Sequence, residues 1–104
     1  FTPDCVIHFC DLPEFTGHKK LRKFFTARSQ RQKNYTLVKT LKAFAGDTIA
    51  NTWVGEWEDV QTGKKMRGFG CEIWLMRNGK VHVWDGAFNA SPVGSPQGIS
   101  ELLT

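Results

Sequence analysis

Asn78-Gly79 stands between two runs rich in β-branched and aromatic residues, Met66 to Met76 and Val81 to Phe88. Both residues tolerate the positive φ of a two-residue type I′ turn, so the dipeptide predicts a tight antiparallel hairpin. The same reasoning extends backwards along the chain. Asp59-Val60-Gln61-Thr62-Gly63-Lys64 is a polar turn after a long strand, Thr48 to Glu58, and Gly46-Asp47 folds that strand back onto Tyr35 to Ala45. Turn-limited strands in succession make an antiparallel meander.

Ahead of the meander the pattern changes. Val6 to Phe9 reads as a short first strand, broken by Asp11-Leu12-Pro13-Glu14. Thr16 offers a helix N-cap, and Leu21, Phe24, Phe25 and Arg28 recur at i, i+3, i+4 and i+7, which predicts an amphipathic helix from Gly17 to about Gln32. From Phe15 to Gly46 there are nine Lys or Arg and no Asp or Glu, so the helix presents a basic surface on an otherwise acidic body. Glycines at 55, 68, 70 and 86 are expected to allow bulges and bends in long strands. One helix is too little to cover such a sheet. From Ser91 onward Pro, Gly and Ser predict an irregular tail, with a weak turn at Ser100 to Leu103.

These elements resemble a known family. Phe1-Thr2-Pro3-Asp4 before a strand, then Gly17, Leu21 and Phe24 at the spacing G-x-x-x-[IL]-x-x-F, are similar to the SnoaL-like pattern. Asp47-Thr48-Ile49-Ala50, Glu56-Trp57-Glu58-Asp59 and Gly70-Cys71-Glu72-Ile73-Trp74 resemble an uncharacterised branch of the nuclear-transport-factor-two-like superfamily. The resemblance spans roughly residues 1 to 90 and implies an α+β fold: a cone-shaped, strongly curved, mostly antiparallel sheet packed on helices. It also implies N-terminal helices that precede Phe1, and a homodimer formed through the sheet. The expected division is a domain over 1–92 and a tail over 93–104. Relatives include ketosteroid isomerase, scytalone dehydratase, limonene epoxide hydrolase and polyketide cyclases, alongside members with no chemistry, so the fold names no reaction. Cys71 and Ile73 depart from that branch, where polar Asn is expected, and make the stretch greasier.

Strand alternation sorts the candidate residues. Glu72 shares a face with Gly68, Gly70, Trp74 and Met76. A carboxylate among apolar neighbours loses hydration, which suits a general acid or base. It could equally face solvent or pair with Arg67 or Arg77. Asp85 is a second catalytic candidate or a turn-capping acid, and His8 a third or a hydrogen-bonded core residue. Trp53, Trp57, Trp74 and Trp84 could wall an apolar ligand pocket, although core packing or a dimer surface would also use them.

Other chemistries lack their residues. No phosphate loop, dinucleotide motif, ordered Ser-His-Asp set or metal-ligand spacing is present, so no cofactor and no metal are expected. Cys5, Cys10 and Cys71 are read as reduced, mostly buried thiols of a cytoplasmic protein, too protonated for nucleophilic work. No apolar run reaches the roughly 20 residues of a membrane span. The helix from Lys19 to Lys33 is basic but lacks exposed aromatics, which argues against nucleic-acid binding. What remains is a protein for an apolar small molecule, with acid/base catalysis of the isomerase, dehydratase, cyclase or epoxide hydrolase type, or a non-catalytic binding or dimerisation module of the same fold.

Overall fold

The computed structural model describes residues 1–95. Its elements are β1 (Val6–Phe9), β2 (Phe15–Thr16), α1 (His18–Arg31), β3 (Gln32–Ala45), β4 (Thr48–Asp59), β5 (Lys65–Arg77) and β6 (Lys80–Pro92). The strands form one sheet in the order β2-β1-β6-β5-β4-β3. Every neighbouring pair is antiparallel except β1 and β6, which run parallel with Val6 opposite Val83 and Phe9 opposite Gly86. The architecture is therefore α+β, a mostly antiparallel six-stranded sheet with one helix, and the meander is β3 to β6. The β5–β6 turn has φ 51° at Asn78 and 74° at Gly79, the left-handed pair that its sequence demands.

Burial alternates along the strands and defines an inner face. Asn51, Trp53, Gly55, Trp57 and Asp59 of β4 are buried, as are Gly68 and Glu72 of β5, Trp84 of β6, and Ile7 and Phe9 of β1. α1 packs Leu21 against Cys5, Ile7, Phe9 and Trp84, with Phe15, Phe24, Trp74, Val81 and Phe88 around this core. The opposite face of β4 and β5 leaves Val54, Phe69, Ile73 and Leu75 exposed. Among the described residues no helix is long and apolar enough to cross a membrane.

The helix start differs from expectation. Thr16 is not the N-cap: it pairs with Val6 as part of β2, and Gly17 caps the helix with no side-chain hydrogen bond. Pairing holds Thr16 extended, and Gly17, at φ 89°, makes the turn into the helix that a residue with a side chain resists. β6 also runs past Phe88 to Pro92, because β5 offers it partners as far as Met66. Val93 N–H then bonds Lys65 O, and Gly94 takes a positive φ. The expected turn at Ser100 to Leu103 lies outside the described residues.

The strand glycines make room for indoles. Gly70 lies opposite Trp53, and a Cβ there would fall 2.2 Å from Trp53 Nε1. At Gly68 it would meet Trp57 Cη2 at 3.0 Å. The cysteines are all free, but Cys5 alone is buried. Cys10 and Cys71 are exposed, since Cys71 belongs to the outer row with Phe69 and Ile73.

Asp59 ties the end of α1 to the β4–β5 turn. Its carboxylate accepts from Arg31 Nε at 2.6 Å, Thr62 Oγ1 at 2.7 Å and the Thr62 N–H at 3.2 Å. The Arg31 bond, then that of Thr62, holds the Asp59 pKa down at about 2, against an ordinary 3.8. A depressed carboxylate pKa contributes stability that is complete above the ordinary value and lost as pH falls through the folded one. Urea midpoints should therefore drop between pH 4 and pH 2, and Asp59→Asn, less stable at neutral pH, should show a shallower drop.

Candidate functional site

The inner face and α1 enclose a cavity of about 430 Å³. Alternation sets its floor. Trp53 on β4, Glu72 and Trp74 on β5, and Trp84 on β6 all project from the same side of the sheet, and Trp74 pairs across to Trp84. From β3 come Tyr35, Leu37 and Lys39, spaced by two as one strand face requires. Phe25 and Arg28 of α1, with Phe1 and Phe9, supply much of the remaining wall. Phe25 stacks on Trp84, with ring centroids 5.9 Å apart and planes 17° apart.

Glu72 is the buried carboxylate of this cavity, its side chain 3% exposed. Trp84 Nε1–H donates to Glu72 Oε2 at 3.1 Å, and the Lys39 ammonium pairs with Oε1. Lys39 reaches across β4 to do so, with its Nζ 4.8 Å from the Trp74 ring centroid, and it keeps some access to solvent. The partner is thus neither Arg67, which lies 4.7 Å from the Phe69 ring, nor Arg77, which pairs with Asp4. A carboxylate can be kept in such a place only with a charge partner and hydrogen bonds, and both are supplied here. Tyr35 shares the cavity. Burial raises its phenol above the ordinary value, while the nearby Arg28 guanidinium acts the other way.

The other candidates separate. Trp57 is buried four residues further along β4, stacked on Tyr35 at 5.7 Å, and does not line the cavity. His8 and Asp85 come together, but on the outer face, away from Glu72. His8 is not a core residue: its side chain is 49% exposed and bridges Asp85 Oδ1, at 2.6 Å, and the Glu14 carboxylate. Those two acids, Glu14 first, raise the His8 pKa above its ordinary value. In β6 a bulge opposite Leu75 and Met76 brings Val81, in place of His82, to the cavity beside Trp84, and His82 bonds Thr2 instead.

Sequence reasoning missed Lys39, Tyr35 and the cavity role of Arg28. The spacing Tyr35, Leu37, Lys39 was a readable signal of one strand face. Its meeting with Glu72 was not readable, because that depends on the register of β3, β4 and β5. Among the described residues no cluster of His, Cys, Asp and Glu could hold a metal ion.

No curated protein matches the chain. Solved structures do. An NTF2-like protein of unknown function from Burkholderia pseudomallei K96243 superposes with TM-score 0.75 at 16% identity, covering 85% of this chain and 72% of that one. A proposed polyketide cyclase from Xanthomonas campestris pv. campestris gives 0.76 at 14%, with the same shares covered, 85% and 72%. SalBIII, an epoxide hydrolase/cyclase-like enzyme with a role in pyran ring formation in the polyether salinomycin, gives 0.75 at 14%, covering 88% of this chain and 77% of that one. At such identities the likeness is one of fold, and the fold is NTF2-like. The family described as "protein of unknown function (DUF1348)" matches residues 1–97, and the chain belongs to that family.

Proposed function

We propose that the protein binds an apolar small molecule in the cavity between α1 and the sheet and performs acid/base chemistry on it through Glu72. The observation that carries this is a buried carboxylate, held by Lys39 and Trp84, in a cavity otherwise walled mainly by aromatic and aliphatic side chains. In such a site Glu72 takes a proton from a carbon or hydroxyl group of the substrate. The Lys39 ammonium stands by to balance the charge that moves. Trp53, Trp74 and Trp84 hold the substrate and limit water, which suits isomerisation, dehydration, cyclisation or epoxide opening. Trp57 serves as support beneath Tyr35. His8 and Asp85 stand outside this site, and any catalysis by them would use the outer face.

The finer shape belongs to the same reading. Leu41 and Phe44 are exposed on the inner side of β3, and helices from outside this sequence would cover them and complete a cone. The apolar outer row of Val54, Phe69, Ile73 and Leu75 suits a homodimer formed through the sheet. That row also favours the second reading, an interaction module without chemistry. The free thiols of Cys5, Cys10 and Cys71 fit a cytoplasmic setting.

A thermal-shift screen against apolar ketones, phenols, epoxides and fatty acids separates the readings. A ligand at 100 times its Kd stabilises the fold by about 2.7 kcal/mol, which moves the melting point by several degrees. The same ligand should quench the emission of Trp53, Trp74 and Trp84. A flat response across the panel would leave only the interaction module.

A further inference from the structure

Besides Glu72 and Lys39, the cavity has a second group of polar side chains. To it α1 contributes Arg28 and Ser29, and the start of β3 contributes Gln32 and Tyr35. The Arg28 carbon Cζ lies 5.1 Å from the Phe9 ring centroid, 5.5 Å from Phe24 and 5.8 Å from Phe88. Ring faces attract a guanidinium but carry no charge to match it, and the nearby Tyr35 hydroxyl, the acceptor beside its N–H edge, is uncharged. Arg28 makes no ion pair among the described residues, whereas Lys39, the other cation of the cavity, is matched to Glu72. Two cations and one carboxylate leave the lining with one uncompensated positive charge. A neutral ligand packed over Arg28 would strip water from that charge and return nothing.

We infer that the natural ligand is a planar aromatic acid, whose carboxylate or acidic enol meets Arg28 while its ring lies among the tryptophans. This rests on the pocket reading above and narrows it to a class of ligand. Gln32 and Tyr35 stand beside Arg28 with further N–H and O–H donors, and burial keeps the Tyr35 phenol protonated as a donor. A cavity of about 430 Å³ falls within the range that holds small organic ligands. A flat ring suits the aromatic faces of Trp53, Trp74, Trp84 and Phe25 that wall the cavity.

The test uses two probes of one shape, 2-naphthoate and its neutral amide, titrated by tryptophan fluorescence and calorimetry into the wild type, Arg28→Met, Arg28→Lys and Arg22→Met. Naphthoate should bind the wild type about 10- to 100-fold more tightly than the amide, the span of a charge-assisted pair. Arg28→Met should bring the two probes within a few-fold of each other, Arg28→Lys should keep part of the preference, and Arg22→Met, which removes an exposed cation of α1 outside the cavity, should leave it in place. Equal binding of both probes to the wild type would overturn the inference while the pocket stood. So would a preference that survives in a folded Arg28→Met, or binding of a neutral panel compound alone. If no compound of either set binds, the pocket reading falls first. Should Arg28→Met not fold, the wild-type comparison and Arg28→Lys still decide the matter.

Discussion

A single methyl group at position 70 should unsettle the protein more than most whole side-chain changes at its surface. In an extended strand, Gly→Ala ordinarily stabilises by roughly 0.4–1 kcal/mol, because it restricts the unfolded chain. Here the added Cβ would lie 2.2 Å from Nε1 and Cε2 of Trp53 and 2.6 Å from its Cζ2. An indole is rigid and cannot bend an end out of the way. Trp53 is also buried, with its centroid 5.6 Å from that of Phe88, which reaches it across β5 from β6. The indole must tilt as a whole and carry part of the cavity wall with it. Gly70→Ala should therefore cost at least about 1–3 kcal/mol, the usual range for overpacking, with a reduced urea midpoint and altered near-ultraviolet circular dichroism. Gly68→Ala, whose Cβ would meet Trp57 at 3.0 Å, should show the same sign at a smaller size. A Gly70→Ala protein as stable as the wild type would show that Trp53 does not lie over the β5 backbone.

Replacing Glu72 with Gln should have the largest effect on function. The amide keeps the size of the side chain and can still accept from Trp84 Nε1, but it cannot take up a proton. If Glu72 is the acid or base, turnover of any substrate found for the cavity should fall by about 10²- to 10⁴-fold, with binding changed much less. Stability should move little, because the Lys39 side chain is 37% exposed and can turn its ammonium to water. Lys39→Met is the instructive contrast. It strands the Glu72 carboxylate in the cavity, with Trp84 as its remaining hydrogen-bond partner, and should cost about 3 kcal/mol, the scale of a broken buried pair. A Glu72→Gln protein with full turnover would remove the residue from the chemistry. Glu72 would then be an internal anchor for Lys39 and Trp84.

What was legible in the sequence was local. Asn78-Gly79, Gly46-Asp47 and the polar turn after Asp59 mark strand ends by backbone preference, and the 3.6-residue recurrence of Leu21, Phe24, Phe25 and Arg28 marks the helix. Alternation also placed Glu72 beside Trp74, and Trp53 beside Gly55 and Trp57, on common faces. What alternation does not reveal is which face of each strand looks inward. Glu72, Asp85 and His8 therefore read as first, second and third candidates for one role, although the sheet separates the first from the other two. The bulge in β6 shows a second limit: one extra residue exchanges His82 for Val81 at the cavity, and nothing in Val81-His82-Val83 announces it. The strand glycines were read through backbone freedom, whereas their use here is the absence of a Cβ beneath an indole.

The parallel pairing of β1 with β6 bears on the order in which the molecule can assemble. The three meander hairpins join neighbours in sequence, but His8 and Asp85, set side by side in this ladder, are 77 residues apart. Closing so long a loop is entropically slow, so the hairpins should be in place before β1 docks. Phe9 from β1 and Trp84 from β6 are both walls of the cavity, which is therefore finished only at this last step. A ligand held there gains its contacts after the main folding barrier. It acts as a clasp on the completed fold, slowing the escape of β1 from β6 while leaving the rate of folding nearly unchanged.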